Sequence, residues 1–520
     1  MRTAVKTPPT KTLDAPPLRN SASANAVYSL LTFAWPVLLS LVATPFIVNR
    51  LGTDAYGIYA LTAVVLGLLG GVLDMGVVPA LVNFVSGAVA RRDFGVADRA
   101  IGAAFSFYGV VGAIAGVSLS LASPWLVGLL NVPADLHDAA LAAFRVTGGA
   151  VVIFMLKGAL QALPMSIQRY DIVAKVTLPT ATLLTSANIV LVALGYGVVA
   201  LVVVNVVLTA LSGAMYLLIS RRLLHFRVRF GLDRALGRRF FTFGSISFVY
   251  SATHLVHLFL DRLLVGSLLG VGAVTFYVLP NTVAMLLYSV AYAALNVLFP
   301  VSSAFFATGD RQAIRRLYVR ATRFTTALVL ATGVPLLVFA RPILLYWLGG
   351  DFPARSTTVL MLLIPTYACL SLALVGTFFA YGAGRLKGLV LFQVVATAVN
   401  VALIFALNGL LGLDGIALAY LLSVAPLPIF IRYVERDLVD VSHRIWLGIA
   451  ARVIPPAVLQ GVLCWFVLEP LATNIALVIS LLVVGMVLFP LAYFGLRLAP
   501  GEDRQLLASV TARARSVIAR

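Results

Sequence analysis

Charged side chains are scarce in this sequence. Asp, Glu, Lys and Arg make up 11% of the 520 residues, against 61% hydrophobic, and the mean hydropathy is +1.03. A water-soluble domain requires a more polar surface, so lipid is the solvent. Cysteine is nearly absent: Cys369 and Cys464 both lie within apolar stretches, which excludes a disulfide framework and a thiolate metal site. Also missing are a Gly-rich phosphate loop ending in Gly-Lys-Ser/Thr, a His pair flanking Glu on one turn, and any polar stretch long enough to fold as a soluble domain around either. These absences argue against ATP-driven pumping by this chain alone and against metalloprotease chemistry.

The formal net charge is +19, a value that in a soluble protein would suggest phosphate backbones as a partner. Here the basic residues are spread over alternate loops, which is the distribution of Lys and Arg held on the cytoplasmic side of a membrane. Nucleic acid is therefore not expected as a partner.

Long apolar runs are abundant. Taking roughly 20 residues per span, the sequence predicts crossings near 26–48, 57–88, 100–124, 139–165, 173–195 and 198–220, then near 241–265, 271–303, 318–340, 356–382, 388–408 and 415–433, and last near 445–467 and 474–496. The second and eighth exceed the roughly 30 Å hydrocarbon thickness and are expected to tilt, bend or project. The predicted organisation is a disordered cytoplasmic tail (1–24), a six-span lobe (25–220), a basic cytoplasmic linker (221–240), a second six-span lobe (241–433), an extra helix pair (434–497) and a second cytoplasmic tail (498–520). Arg91, Arg92 and Arg99, Arg169 and Lys175, Arg311, Arg315, Arg316 and Arg320, and Arg385 and Lys387 all fall on one side. Asp54, Asp135, Asp138, Asp351, Asp414 and Glu469 fall on the other, with a few basic residues such as Arg50, Arg341 and Arg355. Both termini are thereby expected in the cytoplasm.

The two six-span sets resemble each other. LGTDAYGIYAL from Leu51 matches LGVGAVTFYVL from Leu269, LVGLLNV from Leu126 falls opposite LLYWLGG from Leu344, and SANIVLVAL with Asn188 parallels AVNVALIFAL with Asn400. An even number of spans per repeat relates the lobes by an axis along the membrane normal. The predicted fold class is thus an all-α polytopic membrane protein of about fourteen transmembrane helices, two six-helix lobes plus two C-terminal helices.

NRLGTDAYGIYAL after the first span, LDMGVVPALVNF in the second and FLDRLLVGSLLGVGAVTFY at the seventh-to-eighth junction resemble the polysaccharide-transporter branch, the Wzx-type O-antigen flippases, of the multidrug, oligosaccharidyl-lipid and polysaccharide (MOP) exporter superfamily. The resemblance spans residues 25–497. It implies a V-shaped, two-lobed transporter of the bacterial inner membrane that moves an undecaprenyl-diphosphate-linked glycan to the periplasmic leaflet by alternating access. Asp74 and Asp261 are the positions to which the family pattern carries over. The resemblance implies no bound cofactor; the driving force would be a proton or sodium gradient or the membrane potential, and partners would include the bilayer, a polysaccharide polymerase and a chain-length regulator.

A charge at the bilayer centre costs roughly 2.5 to 3.5 kcal/mol and needs a partner, water or a ligand. Asp74 and Lys157 fall at similar depth, so a salt bridge between them is one expectation. The other is that Lys157 faces the cavity and attracts the diphosphate, with Gln161 and Gln168 on nearly the same helical face. Arg145 near the outer end of that helix, and Arg320, Arg323 and Arg452 near the inner side, either snorkel to headgroups or contact substrate phosphate. On the seventh span Ser247, Tyr250, Ser251, His254, His257 and Asp261 share an arc of about 120°. They form either an interhelical hydrogen-bond seam or an ion-coupling route through His254, His257 and Asp261. A zinc site there would be incomplete. A cation-coupled multidrug exporter and a lipid II flippase share the architecture. A membrane polymerase or ligase would need a long extracytoplasmic loop, and none is present.

Overall fold

The computed structural model describes residues 22–91, 93–224 and 234–501; for residues 224–251 and positions 22, 23, 26 and 90 it describes no side chain. Most of each expected tail and residues 225–233 of the basic linker therefore lie outside the described residues. The first lobe comprises α1 (Ala22–Leu51), α2 (Thr53–Leu73), α3 (Val77–Ala90), α4 (Phe94–Leu129), α5 (His137–Ser166), α6 (Tyr170–Ala193) and α7 (Val198–Leu224). The second comprises α8 (Arg234–Leu269), α9 (Val271–Leu295), α10 (Leu298–Thr308), α11 (Arg311–Val338), the short α12 (Ala340–Trp347), α13 (Phe352–Gly382), α14 (Lys387–Ser423) and α15 (Leu427–Tyr433). The final pair is α16 (Ile445–Leu463) and α17 (Ile475–Gly495), both packed against α11.

Among the described residues, thirteen helical stretches are long and apolar enough to cross a membrane. One of them, Lys387–Val439, has 53 residues and is divided at Gly412, whose φ of 55° and ψ of −127° interrupt the helix. That division separates the eleventh and twelfth crossings, as the sequence predicts, and gives fourteen candidate crossings among the described residues of a multi-pass membrane protein. Large apolar side chains remain exposed along the outer faces, among them Leu121, Leu194, Leu410 and Leu491, as expected where lipid replaces water.

The two overlong spans bend by breaking. The second becomes α2 and α3, separated at Asp74–Gly76, where Met75 and Gly76 take φ of 49° and 76°. The eighth becomes α9 and α10, separated at Asn296–Val297. Both breaks precede a proline by a few residues, in LDMGVVP (73–79) and LNVLFP (295–300), and a proline fits the first turn of a new helix better than an interior. The repeat extends to the caps. Gly52 (φ 86°, ψ 159°) and Gly270 (φ 86°, ψ 165°) start α2 and α9 in the same backbone conformation, one that only glycine adopts without strain.

Proline also removes a donor from within helices, leaving the carbonyl four residues earlier without its partner. Three such carbonyls are satisfied by distant side chains, as lipid demands. Trp347 Nε1 donates to the Leu41 carbonyl (2.7 Å) below Pro45. Ser356 Oγ donates to the Phe276 carbonyl (2.7 Å) below Pro280. Gln460 Nε2 donates to the Ala331 carbonyl (2.8 Å) below Pro335. The last of these ties the extra helix pair to the second lobe.

Candidate functional site

The basic loops lie at one end of the bundle, called here the basic end, and the lobes meet at the other, the far end. There α2 crosses α9 in a near-symmetric contact. Thr275 Oγ1 donates to the Thr53 carbonyl (2.6 Å), while a Cβ at Gly57, the repeat counterpart of Thr275, would collide with the Val271 carbonyl. Asn131 Nδ2 donates to the Ser267 carbonyl (2.7 Å), and the Trp347–Leu41 bond is the third tie between the lobes. The far ends are closed.

Below this closure α2 and α8 run antiparallel. Phe259 fills the notch at Gly67, Leu255 the notch at Gly71, and Leu61 packs on Gly266. The small residues permit that approach.

The expected salt bridge between Asp74 and Lys157 is not formed. Asp74 lies in the α2–α3 break, where its Oδ1 accepts from the Val78 amide (3.2 Å) and from the Tyr108 hydroxyl of α4. Two residues before Gly76, the N-cap of α3, it satisfies a first-turn amide of that helix much as a capping side chain would. Lys157 is half-buried on α5, about 20 residues or roughly 30 Å from that helix's far end, and has no hydrogen bond or ion pair among the described residues. Its neighbours are apolar or small. A Cβ at Gly213 of α7 would lie 3.5 Å from Lys157 Cβ, and the adjoining Gly158 faces Val78.

Gln161 is half-buried one turn nearer the basic end. Gln168 does not continue the stripe expected of it: α5 ends at Ser166, and Gln168 (φ 58°) turns the chain outside the helix. Arg145 is exposed, about 18 Å along α5 from Lys157, while Gly148 on the neighbouring face packs against Gly116 and Ser120 of α4. These two cations do not form one site.

Arg323 is buried on α11 and, with exposed Arg320, lines a groove of about 630 Å³ between α9–α10, α11 and α17. The remaining walls are apolar, with Leu298, Phe324, Phe489 and Phe494 prominent. Arg452 is exposed on α16 and does not line that groove.

The described members of the α8 constellation face the second lobe, where His254 is hydrogen-bonded to Gln393. His257 (2% exposed) and Asp261 (1%) point into the second lobe. Asp261 accepts from the Tyr277 hydroxyl (2.6 Å) and from the Arg262 amide (2.8 Å), the His257 ring lies 5.0 Å from that of Tyr420, and Tyr367 donates to Asn281 (2.9 Å). Neither ring nitrogen of His257 has a hydrogen-bond partner among the described residues. His254 is half-buried one turn away; Ser247, Tyr250 and Ser251 carry side chains outside the described residues. Among the described residues no three His, Cys, Asp or Glu side chains are grouped to hold a metal.

Sequence reasoning missed Tyr108 of α4, a partner for Asp74, and Arg262, the residue after Asp261. The signal for Arg262 was present, since any arginine well inside a span must be accounted for.

A family described as "Polysaccharide biosynthesis protein" matches residues 47–355. Among curated proteins, the chain is 26% identical over 409 residues to "Uncharacterized membrane protein EpsK" of Bacillus subtilis (strain 168), covering 76% of this chain and 79% of that one. It is 21% identical over 411 residues to "Putative O-antigen transporter" of Shigella flexneri, covering 77% and 94%. Among solved structures, lipid II flippase MurJ in an inward closed conformation superposes with a TM-score of 0.69 at 12% identity, covering 90% of this chain and 98% of that one. An inward-facing multidrug resistance MATE transporter of the MOP superfamily gives 0.64 at 16%, covering 79% and 98%. The fold is that of the MOP superfamily.

Proposed function

The chain belongs to the polysaccharide biosynthesis protein family, and from that premise we propose that it is a flippase for undecaprenyl-diphosphate-linked oligosaccharide. The observation that carries the proposal is Lys157. An ammonium held half-buried in an apolar lobe, near the basic end and with no anion beside it among the described residues, is stabilised by an anion that arrives and leaves, and a diphosphate headgroup is such an anion.

In this reading the basic end is cytoplasmic, in a bacterial inner membrane, with both termini on that side. The closed far end blocks the periplasm while the headgroup and glycan enter from the cytoplasmic side and the polyprenyl tail stays in lipid. Parting of the far ends then releases the glycan outward. Gln161 adds a hydrogen-bonding group beside Lys157. Arg323, with Arg320 at the same groove, meets headgroup phosphates near the lipid face, and Arg145 and Arg452 do so from the surface. Ion coupling, by proton or sodium, is placed at His254, His257 and Asp261, the buried polar group of the second lobe; Asp74 is a gating hinge. A polymerase and a chain-length regulator would take the product.

The test is headgroup translocation in proteoliposomes containing an undecaprenyl-diphosphate oligosaccharide, with Lys157→Ala and organic-cation efflux measured in parallel. Glycan reaching the opposite leaflet with the intact protein, and much more slowly with Lys157→Ala, supports the reading. Cation efflux without glycan movement would reassign the protein to drug export, and lipid II as the preferred cargo would reassign its substrate.

A further inference from the structure

Arg262 is a second buried cation, and its surroundings differ from those of Lys157. It is 8% exposed and lies seven residues from the far end of α8, about 10 Å by helical rise. At 100° per residue Leu255, Phe259, Arg262 and Gly266 fall within about 60° of one another. Three of these four face α2 of the other lobe, at Gly71, Gly67 and Leu61 respectively. The same antiparallel register sets Arg262 level with Val64 and Val65, neither of which offers a side-chain acceptor. Arg262 thus stands on the seam between the lobes, above the Phe259 contact and below the far-end closure.

The guanidinium makes no hydrogen bond or ion pair among the described residues. Its Nε is buried without an acceptor, and its carbon lies 5.2 Å from the centre of the Phe259 ring. Asp261 is adjacent in sequence, yet its oxygens are engaged by the Tyr277 hydroxyl and the Arg262 main-chain amide. A planar donor set of five N–H groups is matched to phosphate oxygens. The Arg262 charge acts on Asp261, Tyr367 and Tyr420 of the second lobe, but with no hydrogen bond to them and Nε lacking an acceptor, most of that donor capacity stays unused at a desolvation cost.

Building on the flippase reading, we propose that Arg262 is a second binding group for a diphosphate-type anion, masked by Phe259 and the far-end closure here and presented when the far ends part. Lys157 and Arg262 then hold the anion in turn, near the basic end and near the far end. The Arg262 site takes the same chemistry whether the diphosphate belongs to a lipid headgroup or to free pyrophosphate.

Two measurements on the full-length protein test this. In proteoliposomes with an undecaprenyl-diphosphate oligosaccharide, Arg262→Gln is expected to slow glycan translocation by roughly tenfold or more, with Arg262→Lys less affected. If Arg262→Gln translocates at the rate of the intact protein, the proposal falls. In detergent, Gly57→Val, whose added side chain meets the Val271 carbonyl and wedges the far ends apart, is expected to bind inorganic pyrophosphate roughly tenfold more tightly than Gly57→Val/Arg262→Gln. Thr275→Val, which loses only the hydroxyl bond, serves in place of Gly57→Val if the latter does not fold. Equal binding in each pair, or none, removes the site. If the intact protein moves no lipid-linked glycan, the flippase reading fails while the pyrophosphate comparison still decides Arg262; binding there with no glycan movement assigns the site to a soluble anion.

Discussion

The indole nitrogen of Trp347 donates a 2.7 Å hydrogen bond to the carbonyl of Leu41, 306 residues away. Pro45 is the reason that carbonyl is vacant, and the bond joins α1 of one lobe to α12 of the other. A backbone defect in one half of the molecule is thus repaired by a side chain of the other half in this far-end-closed state.

Trp347→Phe keeps most of the ring and deletes the donor. It is expected to destabilise the closed far end by about 1 to 3 kcal/mol and to raise labelling of a thiol placed at Thr53 by a membrane-impermeant reagent. Pro45→Ala in the same chain should reverse the effect, because an alanine at that position would donate its own amide to the Leu41 carbonyl. If Trp347→Phe labels no faster than the parent, the bond carries no gating energy.

Asp74 distinguishes a cap from a titrating group. Asparagine caps helices as well as aspartate, whereas alanine costs about 0.5 to 2 kcal/mol at such a position. Asp74→Asn is therefore expected to fold and translocate within about threefold of the parent, and Asp74→Ala to lower the thermal midpoint. Complete loss of transport in Asp74→Asn, with normal folding, would restore the carboxylate to a coupling role.

Glu435 anchors the extra helix pair. It is 1% exposed and accepts from Trp446 Nε1 (2.7 Å), with His443 Nδ1 at 2.6 Å and the Tyr318 hydroxyl at 3.5 Å. Glu435→Ala should cost about 1.5 to 3 kcal/mol, the range for hydrogen bonds to a charged group, and should free α16 and α17 for proteolysis before the lobes are cut. Unchanged proteolysis would show that Gln460 and apolar packing suffice to hold the pair.

At Gly57 even one methyl group has no room against the Val271 carbonyl. Gly57→Ala is expected to slow translocation by roughly tenfold through loss of the far-end-closed state, with expression little changed. Parent-like transport would mean that the seam relaxes and that the contact is not required for closure.

Hydropathy made the crossings legible, because apolar length is what a bilayer selects, and the alternation of basic loops fixed their order. The breaks at Asp74 and Asn296 were not legible as breaks, since neither lowers the hydropathy of its run; the parallel between LDMGVVP and LNVLFP, each ending in proline, was the signal. At the site, helical rise matched the depths of Asp74 and Lys157, but rise says nothing of azimuth. Asp74 turned to Tyr108, and Lys157 kept no ionic partner among the described residues. The arc on α8 gave the opposite outcome. Periodicity grouped His257 with Asp261 as the structure does, yet it drew attention away from Arg262, one residue and 100° further round, where the helix meets the other lobe.

The unlike residues at the far-end crossing, Gly57 in one repeat and Thr275 in the other, bear on how the gene is built. Two copies of the first repeat would meet there with no hydroxyl to donate, and two copies of the second would set a threonine at both carbonyls, one of which leaves no room for a Cβ in the seam observed here. The seam observed here uses one half of each kind. Covalent fusion of the repeats guarantees that stoichiometry at synthesis, and separate expression of either half as a homodimer should yield no closed transporter.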